Sequence, residues 1–511
     1  MLTAKEKMCF CDEADCNPVN CPYARGHFDR INDVIYEIIT RENLITREVI
    51  LDYALEYVVC PFELALDVST WCEDIICDYN YVFDPNVYLK RFFSDIKSQD
   101  NIFLVDEAHN LVDRAREMYS ETLIKEELLS IKRYAKSVSR KLTNALDKCN
   151  RILLEYKREC QKDITVFEDI DMLLNACDNL QMIIEQLLKK EIKFGIYQDE
   201  VLDFYFRLRN FTAIAYSQDK DHYKIYGDFD DDKNFNLHLF CVDPSAQLEE
   251  RLKMARSTVF FSATLLPIEY YKDLLCVRKD VYAIYVDSVF DKRKRLLLLG
   301  TDVTSKYTKR GNDEYEKYAC YIKNIVNAKQ GNYMVFTPSY NFLDEIFARY
   351  DSYKDDVDII VQKQNMTEQE RVDFLTEFEK ERNKSLVAFC ILGGIFSEGI
   401  DLVGGKLIGS IIVGAGLPQV GNERKLMTDF FDEHEKNGFE YSYLFPGMNK
   451  VIQAAGRVIR TREDVGVIAL LDERFRFSSY RRTFPREWDD ALYTDLESVS
   501  LKLTKFWEKT S

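Results

Sequence analysis

The stretch whose reading decides the fold is Ile102–Leu111, IFLVDEAHNL. Four apolar residues, Ile102 to Val105, have the length and composition of a strand buried on both faces of a parallel sheet. The carboxylates Asp106 and Glu107 stand where that strand ends. Asp106-Glu107-Ala108-His109 in this setting is a Walker B pattern of the DEAH type. Asp106 would hold Mg²⁺ through its water shell, Glu107 would orient and deprotonate a water, and His109 would couple the pair to other motifs. The alternative is a helix N-terminus whose acids complement the dipole. Nucleotide chemistry also needs a glycine-rich loop whose N–H groups and lysine cradle the phosphates. No GxxxxGK[ST] occurs in the sequence, and its one Gly-Lys, Gly405-Lys406, is followed by Leu407.

Outward from this stretch the texture changes twice. Between Gly26 and Gly195 there is no glycine, and between Pro85 and Pro244 no proline. Without these helix breakers, 121–160 and 170–190 read as long helices of a helical insertion. Beyond it, short apolar runs (258–261, 296–299, 333–336, 358–361, 386–390, 410–413 and 467–471) alternate with polar, helix-compatible segments. That alternation predicts α/β architecture, a parallel sheet with crossover helices. Two α/β units are expected, one from 66–112 with 236–270 and one from about 275 onward.

A chain of 511 residues is too long for one core. Its net charge of −18 argues against wholesale coating of nucleic acid, though it leaves room for a local basic channel. Met1 leads into polar LTAKEK, and no apolar run approaches the ~20 residues of a membrane span. A cytoplasmic protein without membrane contact is expected. Seven of the 14 cysteines (Cys9, Cys11, Cys16, Cys21, Cys60, Cys72 and Cys77) crowd the first 77 residues, which in a reducing compartment indicates metal more than disulfide.

Two further motifs follow the acid pair. Ser262-Ala263-Thr264 ends another apolar strand, where its hydroxyls would carry a signal between nucleotide and nucleic acid or simply cap a strand end. In QAAGRVIR, Gln453, Gly456, Arg457 and Arg460 put two arginines at helical spacing i, i+3, fit to reach a γ-phosphate or to form surface ion pairs.

Taken in order, LVDEAHNL, FFSATLLP, NYMVFTPSY, GGIFSEGIDLVGG and QAAGRVIRTREDVGVIALLDERF resemble motifs II to VI of the iron–sulfur XPD/DinG-like superfamily 2 DNA helicases, bacterial branch. The resemblance implies two RecA-like motor domains, the first incomplete, with an inserted iron–sulfur domain and a helical Arch. The implied boundaries are 1–65 for the cluster domain, 66–112 and 236–270 for motor domain one, 113–235 for the Arch and 271–511 for motor domain two. It implies Glu398, Gly399 and Asp401 near the nucleotide, with Gln453 and Gly456, and Arg457 and Arg460 beside the triphosphate. Thr337 and Ser339 would contact strand phosphates, and Tyr79 and Tyr81 would stack on bases or pack as half-buried rings. A 4Fe–4S cluster is implied on Cys9, Cys16, Cys21 and Cys60, the last opening a CPF segment, with Cys11 a rival ligand and zinc the chemical alternative. Cys72 and Cys77 read as packing.

The implied activity is an ATP- and Mg²⁺-dependent 5′→3′ translocase on single-stranded and forked DNA, in repair or replication. The family keeps its phosphate loop upstream of the cluster insertion. The chain by itself is therefore expected to lack robust ATPase unless a further polypeptide carries that loop, and a non-catalytic DNA-binding or assembly module is the competing reading.

Overall fold

The computed structural model describes residues 1–12, 15–93, 101–160, 164–190, 194–353, 356–397, 400 and 402–510. Two compact units emerge, Met1–Val105 with Asp113–Val259, and Asp106–Val112 with Phe260–Ser511.

The second unit is built on a seven-stranded sheet. Its strands are β7 (Arg295–Gly300), β8 (Asn332–Thr337), β9 (Val357–Val361), β10 (Ser385–Ile391), β11 (Gly409–Val413), β12 (Gly466–Leu471) and β13 (Leu492–Thr494), numbered after six earlier strands given below. The order is β13-β7-β12-β11-β8-β10-β9, and every pairing is parallel. Each apolar run beyond residue 290 is one of these strands, because Val, Ile, Leu and Phe on both faces bury a central strand completely. Tyr333, Val335, Val387, Phe389, Ile411 and Ala469 pack with Tyr318 and Ile322 of the helix Asn312–Asn327, Phe342 and Ile346 of the helix Tyr340–Ser352, and Leu503. The short edge strand β13 carries no long apolar run and escapes a reading by apolar runs.

In the first unit, helices His27–Arg41, Arg47–Glu56 and Pro61–Ser69 close a small core around Val34, Ile38, Ile50, Leu64 and Val68. Cys72 and Cys77 pack against it, and burial pushes the Cys77 thiol up to about 11. The segment expected to be wholly helical is not. Four helices (Lys125–Ala135, Arg140–Glu159, Asp171–Lys189 and Gln198–Ser217) accompany an antiparallel sheet of β2 (Glu121–Ile124), β3 (Ile164–Phe167), β4 (Tyr223–Phe229) and β5 (Phe235–Cys241), in the order β2-β5-β4-β3. The signal is present in the alternation Phe235, Leu237, Leu239, Cys241, all buried, after the polar turn 230–234. Glycine and proline counts are blind to such a hairpin.

The deciding stretch departs from expectation. Among the described residues β1 (Ile102–Val105) pairs only with β6 (Ser257–Phe260), in a sheet of two strands, and Ile102 and Leu104 are 60% and 69% exposed. It is a strand, but one face is not covered. Among the described residues no helix is long and apolar enough to cross a membrane.

Candidate nucleotide and nucleic-acid site

The acid motif, the Ser-Ala-Thr turn and the arginine motif all lie in the second unit. After β1, Asp106 and Glu107 are exposed, and the Asp106 carboxylate accepts from the Glu107 N–H at 2.7 Å. Glu107 sits in the left-handed region, φ +45°, a conformation that costs a non-glycine residue about 1 kcal/mol or more and is kept where surroundings impose it. Ala108 N–H donates to the Phe261 carbonyl at 3.2 Å, which ties the motif to the strand end that precedes Ser262.

Three side chains then join the carboxylate to the arginine motif. Ser262 Oγ donates to Glu107 Oε2 at 3.0 Å and lies 2.7 Å from Nδ1 of buried His109. Since the serine proton goes to the carboxylate, His109 must donate from Nδ1, which leaves Nε2 as an acceptor. The Gln453 amide nitrogen faces that Nε2 within hydrogen-bond distance. The proton order Gln453 to His109 to Ser262 to Glu107 is thereby fixed. Protonation of His109 at Nε2 would reverse the first bond and require the amide to turn over.

A residue absent from the sequence motifs anchors the turn. Asn449, buried in the helix Phe445–Ala455, donates through Nδ2 to the Thr264 carbonyl at 2.9 Å, to Thr264 Oγ1 at 3.2 Å and to Tyr271 OH at 2.6 Å. Thr264 N–H in turn donates to Ser262 Oγ at 3.2 Å. The helix reaches this depth because Gly447 meets Gly416: a Cβ on Gly416 (φ +65°) would come within 2.6 Å of the Gly447 carbonyl. Asn449 lies one helical turn before Gln453 on the same face, and that spacing is its only signal in the sequence.

The two arginines do not share a helix face. The helix stops at Ala455, with Gly456 at its C-cap, so Arg457 and Arg460 belong to the turn that follows. Arg457 is 7% exposed and donates from Nε to the Ser397 carbonyl at 3.0 Å and from Nη1 to the Ile400 carbonyl at 2.8 Å. Arg460 is exposed and reaches the same Ile400 carbonyl at 3.3 Å. Asp464, within the quoted motif stretch but given no role there, holds this turn by accepting from the N–H groups of Arg460 (2.9 Å), Thr461 (2.6 Å) and Gly405 (3.2 Å). Burial works to raise its pKa, but these backbone donors outweigh that and hold the carboxyl below the usual value. Glu398, Gly399 and Asp401 lie outside the described residues.

The expected strand contacts need correction at Thr337. It is fully buried at the end of β8, and its hydroxyl donates to the carbonyls of Ser339 (3.3 Å) and Cys390 (3.4 Å), so no strand phosphate can reach it. Ser339 is half-buried and caps the helix Tyr340–Ser352 by accepting from Phe342 N–H at 3.3 Å. Tyr79 and Tyr81 are half-buried, and Tyr81 packs on the core of the N-terminal helices, which raises its pKa through desolvation.

The cysteines converge in part. Desolvation, then the neighbouring thiols of Cys21 and Cys9, push the Cys11 thiol up to about 11. The Lys5 ammonium keeps its proton above the ordinary range, first through a hydrogen bond with Cys16 and then through the fields of Cys16, Cys60 and Cys9. Cys60 caps the helix Pro61–Ser69, and its N–H donates to Nδ1 of buried His27 at 3.2 Å. Cys16, Cys60 and Cys9 thus lie near Lys5, and Cys11 near Cys21 and Cys9, soft donors of the right chemistry for an iron–sulfur cluster. Their geometry fits less well: among the described residues no three His, Cys, Asp or Glu side chains are set to grip one ion.

Residues 2–128 match the DEAD_2 family and residues 322–491 the helicase C-terminal domain. The ATP-dependent DNA helicase XPD of Sulfolobus acidocaldarius is 25% identical over 81% of this chain and 72% of its own length. A Fanconi anemia group J protein homolog of Gallus gallus is 22% identical over 82% of this chain but 40% of its own, and the helicase CHL1 of Meyerozyma guilliermondii 22% over 80% and 56%. The chain thus spans about half the length of the last two. Among solved structures, an XPD helicase superposes with a TM-score of 0.56 at 20% identity, covering 94% of this chain and 85% of that one. Xpd4 of S. tokodaii gives 0.54 at 16% identity, with 81% of each chain covered.

Proposed function

We propose that the chain is an XPD-like superfamily 2 helicase, the motor of an ATP-dependent DNA helicase that moves 5′→3′ along single-stranded DNA, opens forked DNA and serves repair or replication. The observation that carries the proposal is the ordered chain Gln453, His109, Ser262, Glu107, which ties the water-activating carboxylate to the arginine turn. ATP·Mg²⁺ supplies the phosphoryl group and the charge that a carboxylate at Asp106 is suited to balance. Glu107 aligns the attacking water and takes its proton. Ser262 and His109 hold Glu107 oriented, and Arg460 is the exposed guanidinium for the developing phosphate charge, while Arg457 holds the Ser397 and Ile400 carbonyls, the second of which Arg460 also reaches. Glu398, Gly399 and Asp401 are nucleotide-binding residues in this proposal.

A second reading, a non-catalytic single-strand-binding or assembly module, is favoured by one fact: no GxxxxGK[ST] loop occurs in the sequence. Phosphoryl transfer depends mostly on positioning, and the residues described offer no cradle for β- and γ-phosphates. The test is DNA-stimulated ATPase of the 511-residue chain, alone and joined to a polypeptide segment bearing such a loop. Turnover only in the joined form supports the motor; no turnover in either form supports the module.

The cluster is part of the proposal as well, with Cys9, Cys16, Cys21 and Cys60 as ligands and Cys11 as the rival already beside Cys9 and Cys21. Anaerobically purified protein should be brown, Cys60→Ser should bleach it, and substitution of packed Cys72 should leave the colour. Colourless protein with stoichiometric zinc would refute iron.

A further inference from the structure

Two loops at the C-terminal ends of adjacent strands, the second running on from the end of the QAAGRVIRTREDVGVIALLDERF stretch, carry an unassigned surface. The loop after β7 contains Lys306, Tyr307, Lys309 and Arg310, and the loop after β12 contains Arg474, Arg476 and Phe477. Residues 305–310 and 473–477 together hold five cations and one acid, Glu473, in a chain whose net charge is −18. Tyr307 is 84% exposed and Phe477 42%. Scattered exposed aromatics need no explanation in themselves. These two, however, each lie beside cations: Arg310 is 5.5 Å from the Tyr307 ring centre, and Lys306 and Arg476 are 5.9 and 5.8 Å from that of Phe477.

The base beneath them is tied together by hydrogen bonds. Fully buried Asp472 accepts from Ser305 N–H and Oγ, both at 2.9 Å, and from Arg474 Nε and Nη2, both at 2.8 Å. Lys306 pairs with Glu473 at 2.8 Å, and Glu473 N–H donates to the Val303 carbonyl at 2.7 Å. The two loops are thus locked to each other through their buried residues while their aromatic and basic tips stay in solvent. Open parallel sheets bind ligands outside the carboxyl ends of their strands. Exposed rings interleaved with cations on a fixed base suit one ligand chemistry, a flexible polyanion with flat faces.

We propose that Tyr307 and Phe477 are stacking platforms for bases of single-stranded nucleic acid, with Lys309, Arg310 and Arg476 on its phosphates. This rests on the DNA-motor reading and adds to it a binding surface formed by residues to which the motifs assign no role.

The test uses the 511-residue chain and a fluorescent 12-nucleotide oligothymidylate. Tyr307→Ala with Phe477→Ala should weaken binding about tenfold or more, the scale of losing one or two stacked bases, whereas Tyr307→Trp with Phe477→Trp should retain it. Lys309→Ala with Arg310→Ala should instead flatten the dependence of log affinity on log salt, by about 0.7 for each phosphate that is no longer neutralised. Unchanged melting temperatures check the fold, which surface rings should not disturb. Equal affinity of the wild-type chain and the alanine pair would overturn the platform and leave the motor reading standing. No binding by the wild-type chain would overturn both. Competition by base-free polyphosphate as effective as by oligothymidylate would replace the platform with a plain anion or acidic-protein surface.

Discussion

The seven-stranded sheet of the second unit and the two-stranded sheet of β1 and β6 are made largely from the same kind of strand, a short run of apolar residues. Their surroundings differ. Phe336, Val387, Ile411 and Leu470 in the large sheet are completely buried, whereas in the small one Ile102, Leu104 and Val259 are at least half exposed. An isolated pair of strands is marginal in water, and an uncovered apolar face of this sort marks a surface built to be covered. The difference teaches that apolar runs report what a strand requires, while coverage depends on which other segments are present. Asp106 and Glu107, which chemistry asks to be held most firmly, are carried by the less supported of the two sheets.

The largest expected effect tests whether that lack of support is functional. Joined to a segment with parallel strands and a GxxxxGK[ST] loop, the chain should gain DNA-stimulated ATPase. Glu107→Gln should then lower kcat by roughly 10²- to 10⁴-fold, the range for loss of a general base. Robust ATPase from the chain alone, abolished by Glu107→Gln, would break the comparison, because the small sheet would then need no completion.

A stability contrast comes next. Phe336→Ala in β8 should destabilise by about 3–5 kcal/mol, since a fully buried ring leaves both lost transfer energy and a cavity. Chemical denaturation read at the second unit's tryptophans, Trp488 and Trp507, measures it. A loss below about 1 kcal/mol would mean the large sheet is no better packed than the small one.

How far the sequence is legible follows the same division. Local apolar periodicity locates β1 and six strands of the large sheet, since each run is a strand whatever its neighbours do. It is blind to β13, too short to register, and to the hairpin of β4 and β5, which lies in a stretch judged by its lack of helix breakers. At the site, motif spacing brings out Glu107, His109, Ser262 and Gln453, which the structure joins by hydrogen bonds. Asn449 and Asp464 are not legible, because a buried amide and a capping carboxylate acquire meaning only from the backbone groups they face. Thr337 misleads for the converse reason: a hydroxyl at a strand end reads as a ligand contact until its own carbonyl partners are seen.

Asp464 provides the intermediate effect. Its carboxylate satisfies three backbone N–H groups, so Asp464→Asn should cost about 1–3 kcal/mol and loosen Arg460. Its folded pKa lies below the ordinary value. The stabilisation is therefore complete above an unfolded pKa of about 4 and is lost as pH falls through the lower folded pKa. Wild type and Asp464→Asn should differ in melting temperature at neutral pH and converge in acid. A gap independent of pH would show that shape, and not charge, holds the turn.

The smallest effect is the sharpest probe of the open sheet. Leu104 points its side chain from β1 into solvent at 69% exposure. Leu104→Ser removes little buried surface from the 511-residue chain, so the change should stay within about 0.5 kcal/mol, as for ordinary surface positions. Solubility should rise, because an exposed apolar strand invites association. In the joined protein the same substitution should become costly, by about 2 kcal/mol or more, since a covered leucine contributes in proportion to the apolar area it removes from water. The informative quantity is the difference between the two contexts, which cancels any intrinsic strand preference of serine. An equal, small effect in both would show that the supplied segment does not cover β1, and the ATPase it restores would then have to come from a phosphate loop docked elsewhere on the chain. A large effect already present in the chain alone would show that the strand is covered without help, through association of the chain with itself, which a concentration-dependent melting temperature would reveal.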